Sequence, residues 1–104
     1  MVLELKVFDP AEYLTDPEIQ EELLAEAFAS GHPGLIANVL GTVARARGMT
    51  ATAKEAGVTR EALHKALSPD GNPRLTTLLG VTRALGYQLT LTPLVPKAGS
   101  EAAG

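Results

Sequence analysis

Between residues 16 and 86 the chain is divided by residues that start or stop helices, and no uninterrupted run exceeds roughly four helical turns. Asp16 stands before Pro17, a side-chain acceptor for free N–H groups followed by a residue suited to the first turn. Ile19, Leu23, Leu24, Ala27 and Phe28 then repeat at helical spacing until Gly31. Pro33 opens a second segment, with Leu35, Ile36, Val39, Leu40 and Val43 as its apolar stripe and Gly48 as its stop. Thr50 is the expected cap of a third helix that ends before Gly57, and Thr59 of a fourth from Arg60 to about Leu67. After the turn SPDGNP a fifth helix is predicted from about Leu75 to Leu85, with Leu75, Leu78, Leu79, Thr82 and Leu85 inward and Gly86 behind it. Five short helices joined by short loops predict a mainly all-α, compact bundle.

The two ends follow a different rhythm. Leu3, Leu5 and Val7 alternate with Glu4 and Lys6, and Leu89 and Leu91 alternate with Gln88, Thr90 and Thr92 as far as Pro93. A period of two predicts short N- and C-terminal β-strands, which must pair within the chain or across a dimer to satisfy their backbone groups. The last nine residues, PKAGSEAAG, are small and polar and are expected to form a flexible tail. The expected organisation is therefore a single domain over 1–95: an acidic N-terminal arm and helix at 1–31, a core at 32–92, and the tail at 96–104.

A chain of 104 residues, 45% apolar and 20% charged, lies close to the globular average and far from the composition of disorder. It has no cysteine, which excludes disulfides, iron–sulfur clusters and thiolate zinc sites. No apolar run approaches the ~20 residues needed to span a bilayer, and MVLELKVF alternates where a signal peptide would be continuously apolar. A cytoplasmic protein without membrane contact is expected. The net charge of −3 hides an asymmetry: residues 1–42 hold one lysine and eight acids, whereas residues 43–83 hold seven Lys and Arg and three acids. A nucleic-acid partner needs only the local positive face.

Within that basic stretch, residues 50–67 read as two short helices joined by a glycine-containing turn, the helix-turn-helix pattern whose second helix can enter the DNA major groove. Ala53 is small where the helices would cross, Gly57 suits a positive φ in the turn, and Val58 and Leu63 can plug the core. At about 100° of rotation per residue, Arg60, Glu61, His64, Lys65 and Ser68 fall on one arc and Ala62, Leu63, Ala66 and Leu67 on the other. The polar arc offers donors for guanine edges and phosphates and an acceptor for cytosine amino groups. A polar face alone fits any surface helix; the flanking Arg45, Arg47, Lys54, Arg74 and Arg83 favour the DNA-binding reading.

The segment ARARGMTATAKEAGVTREALHKALSPDGNPRLTTLLGVTRALGYQLTLTP, together with FDPAEYL and the acidic helix upstream, resembles the Xre/Cro-type antitoxins of the addiction module antidote family. The likeness covers about residues 7–93. It implies a lambda-repressor-like helical fold, a homodimer that binds operator DNA and represses its own operon, and a small RelE/ParE/HigB-like toxin that the antidote neutralises. Transferred position by position, it makes Arg60, Glu61, His64 and Lys65 base-reading residues and Thr50, Lys54, Thr59 and Arg74 phosphate contacts. The family usually carries Tyr where this chain has His64, which can also stack or donate a hydrogen bond. Glu12, Glu18, Glu21, Glu22 and Glu26 form an acidic set suited to a basic toxin by charge complementarity, or else the solvated face of a helix. Leu89, Leu91 and the fifth helix are the expected dimer surface. Two other functions remain open: a toxin-neutralising module that does not bind DNA, and a stand-alone repressor.

Catalysis finds no footing in the pattern. Ser30, Ser68 and Ser100 lie outside any G-x-S-x-G motif, and His32 and His64 are the only imidazoles, without metal-ligand spacing. No phosphate-binding glycine loop is present. The expectation is a non-enzymatic protein with no metal and no cofactor.

Overall fold

The computed structural model describes residues 9–94. The predicted strand at Leu3, Leu5 and Val7 and the predicted tail lie outside the described residues. A short 3-10 helix, Pro10–Glu12, is followed by α1 (Pro17–Ser30), α2 (Pro33–Arg47), α3 (Met49–Ala56), α4 (Arg60–Ala66) and α5 (Leu75–Ala84). Among the described residues the fold is wholly helical, and no helix is long and apolar enough to cross a membrane.

Local chemistry explains the boundaries. The Asp16 carboxylate accepts from the Glu18 N–H at 2.9 Å and Pro17 fills the first position of α1. The Thr59 hydroxyl accepts from the Ala62 N–H at 3.0 Å, capping α4 as predicted. Thr50, by contrast, caps nothing. The helix begins two residues sooner than that cap implies, at Met49, because Gly48 (φ 116) is a single-residue joint: its N–H donates to Ala44 O, closing α2, and its carbonyl accepts from Thr52, opening α3. Thr50 therefore lies in the first turn of α3 and faces solvent.

The core gathers Leu24 from α1, Leu40 and Val43 from α2, Met49 and Ala53 from α3, Leu63 from α4, Leu67 just after it, and Val81 and Leu85 at α5. Two apolar stripes are turned differently from the sequence expectation. In α1 the buried positions are Gln20, Leu24 and Ala27, leaving Ile19 exposed. The Gln20 amide donates to Leu14 O at 2.7 Å and accepts from Arg47 Nε at 2.8 Å, so both of its ends are satisfied in the interior. In α5, Leu75 and Leu79 point outward, Leu75 being 67% exposed. Gly80 sets this rotation: a Cβ there would lie 2.9 Å from the Ala56 carbonyl oxygen, so α5 meets α3 on its Gly80 and Val81 side. In α4, Ala62 is exposed although its arc was expected to face the core.

The predicted C-terminal strand is not formed. Residues 87–93 follow α5 without strand structure, and Leu91 is 99% exposed. No described segment runs alongside to complete a backbone ladder, and without a partner an alternating sequence does not become a strand.

Candidate nucleic-acid interface

α4 is a short helix held by its inner side. Leu63 is fully buried and Leu67 nearly so, and the Leu67 carbonyl lies over α2 where residue 41 is glycine; a Cβ at Gly41 would come 2.8 Å from it. At the N-terminal end, Gly57 takes the left-handed conformation (φ 78) and donates to Lys54 O, while Val58 donates to Ala53 O. These backbone bonds fix the turn to the end of α3, and α3 in turn packs against both α4 and α5.

With the inner side fixed, Arg60, Glu61, His64 and Lys65 are all exposed and together line a surface cleft of about 300 Å³. Among the described residues none of the four has an ion-pair or side-chain hydrogen-bond partner. Three donor-bearing side chains and one carboxylate therefore present free polar groups on one patch.

The expected phosphate contacts are distributed over neighbouring elements. Thr50 and Lys54 are exposed one turn apart on the same outward side of α3, rotated about 100° from the buried Met49 and Ala53. Arg74 is the N-cap residue of α5, exposed and without a capping side-chain bond. The Thr59 hydroxyl accepts from Ala62, which leaves its own O–H free to donate.

Two other basic residues have different work. Arg45 grips Asp9, with Nε to Oδ2 at 3.2 Å and Nη2 to Oδ1 at 3.0 Å. The same guanidinium, with the Ala11 N–H, holds the Asp9 carboxyl below its ordinary pKa, against an opposing effect of burial. Arg47 donates to Gln20 Oε1, to Leu85 O at 2.8 Å and to Tyr87 Oη at 3.3 Å, and lies 5.7 Å from the Tyr87 ring centroid. Their role as fasteners, and that of the buried Gln20, was missed by sequence reasoning; no local pattern announces a bond between residues 27 or 38 positions apart.

The acidic set divides in two. Glu18, Glu21, Glu22 and Glu26 share the outward face of α1, whereas Glu12 sits on the 3-10 helix. Among the described residues none of them is ion-paired.

Comparison with known proteins finds a family likeness over most of the chain. The family model described as probable addiction module antidote protein matches residues 4–93. An uncharacterized protein of Haemophilus influenzae (strain ATCC 51907 / DSM 11121 / KW20 / Rd) is 44% identical over 88 residues, 85% of this chain and 91% of that one. No solved structure matches the chain.

Proposed function

The chain belongs to the family of probable addiction module antidote proteins, and from that premise we propose that it is the antitoxin of a type II module, a DNA-binding autorepressor that also neutralises a small toxin. In this reading α3 and α4 are an Xre/Cro-type helix-turn-helix on a lambda-repressor-like bundle, and the toxin is RelE/ParE/HigB-like. The observation that carries the DNA half is the outer face of α4: four exposed polar side chains without internal partners, on a helix anchored by Leu63. Arg60 and Lys65 donate to guanine edges or phosphates, Glu61 accepts from a cytosine amino group, and His64 stacks or donates. Thr50, Lys54, Thr59 and Arg74 position the helix through phosphate oxygens.

The exposed Leu75 and Leu79 on α5, with Leu91 beyond it, supply the apolar surface for a homodimer. A two-fold dimer then reads half-sites about one helical turn apart, ~34 to 36 Å, or a multiple of that. The neutralising half rests on the acidic face of α1, whose charge favours a basic toxin. No residue in this reading has a catalytic role.

The test is binding to the protein's own promoter at several salt concentrations. Arg60→Ala should relax base preference at a cost of ~1 to 3 kcal/mol, while Lys54→Ala should weaken all sequences alike and reduce the salt slope by about 1. Equal affinity of the wild type and both variants would sink the proposal.

A further inference from the structure

A groove of about 590 Å³ runs between α1 and the segment that follows α5. Leu24, Phe28 and Leu40 contribute from the helices, and Leu89 and Leu94 from the chain beyond Gly86. Its α1 wall is low, because positions 25 and 29 are alanines, and Glu21 stands on that rim. Glu18 and Glu22 lie next to Glu21 on the helix surface. The described residues of the opposite wall, among them Gln88, Thr90 and Thr92, carry no charge.

We propose that this groove is the seat for the toxin partner, taking an apolar ridge of that protein whose flanking residues are lysine or arginine. The inference rests on the neutralising half of the proposed function and deepens it by naming where the partner docks. Charge selects the occupant. Among the described residues one carboxylate, Glu21, lines the groove and is backed by two more on the same helix, so a basic segment is attracted and a nucleic acid repelled. A second copy of this chain is disfavoured in a two-fold contact, where the same patch meets itself and Glu21 would face the carboxylates of its twin. The acidic face of α1 then guides approach to the groove, and the apolar floor holds the partner once desolvated.

The experiment uses the full chain co-purified with the protein encoded by the adjoining reading frame, with affinity measured by calorimetry. Ala25→Trp fills the groove from an exposed position, so the core need not adjust; thermal unfolding and promoter binding serve as controls. Expected is a loss of at least about 100-fold in partner affinity for Ala25→Trp. Glu21→Lys should lose about 10-fold, with a reduced salt dependence, and Glu55→Lys, exposed on α3 and outside the groove lining, less than about 3-fold. Should Ala25→Trp fail the unfolding control, Glu21→Lys against Glu55→Lys decides alone. If the wild type binds and all three variants bind alike, the groove is not the seat, although the chain still neutralises. A change in oligomeric state of isolated Ala25→Trp, with partner affinity kept, would assign the groove to a second copy and overturn the proposal. No binding by the wild type would remove the neutralising function itself.

Discussion

Arg45 and Arg47 at the end of α2 and Arg60 and Lys65 on α4 belong to the same basic stretch of sequence, and the fold uses them in opposite ways. The first two face acceptors that converge on them: a carboxylate, a buried amide oxygen, a phenol, and the Leu85 carbonyl at the end of α5. A planar guanidinium serves such a set well, because its fixed fork of donors can satisfy several oxygens at once. Terminal helix carbonyls such as that of Leu85 lack an intrahelical donor and gain most from one. The α4 cations meet no such acceptors among the described residues, and their donors stay unpaired within the fold. What separates a fastener from an unpaired surface cation is the set of acceptors around it.

Removing the mount that keeps the α4 cations outside should have the largest effect. Leu63→Ala empties a fully buried position and should cost ~2 to 5 kcal/mol of stability, read by urea denaturation, with promoter binding lost as α4 loosens. Next is Arg47→Ala, which leaves the Gln20 amide oxygen without its donor and should cost ~1 to 3 kcal/mol. Arg60→Ala should stay within about 0.5 kcal/mol of wild-type stability while impairing DNA binding. If Arg60→Ala destabilises the fold as much as Arg47→Ala does, the distinction between the two sets collapses.

Gly57→Ala tests the turn that aims α4. A Cβ there meets no neighbour, so the cost is the strain of a left-handed alanine, ~1 to 2 kcal/mol by the same denaturation assay. The smallest effect concerns Asp9. Its carboxyl is held below the ordinary value, so the Arg45 link contributes fully above the unfolded pKa of ~3.9 and fades as pH falls through the lower folded value. Asp9→Asn should therefore show a shallower loss of stability on acidification below about pH 5 than the wild type. Parallel pH profiles for the two chains would show that the link adds nothing.

The helix plan was legible because its signals are local. Asp16 with Pro17, Gly31, Pro33, Gly57 and Thr59 each act on their own few residues, and the structure places the boundaries there. The outer arc of α4 was legible for the same reason, since one helix's rotation decides it. What depended on distant partners was not. The rotation of α1 is set by Gln20 reaching Arg47, and that of α5 by Gly80 lying against Ala56, neither of which periodicity can register. The cap assigned to Thr50 failed because Gly48 joins two helices by itself. The strand expected at Leu89 and Leu91 failed because alternation supplies a face and not a partner.

The central claim is that the outer face of α4 is the DNA-contacting surface, and backbone amide NMR shifts of the chain titrated with its own promoter duplex test it most directly. Salt-sensitive perturbations are expected over residues 59–65, with smaller ones at Thr50, Lys54 and Arg74 and little change on α1 or at Arg47. Perturbations centred on α1 with α4 unmoved, or none at low salt, would contradict it.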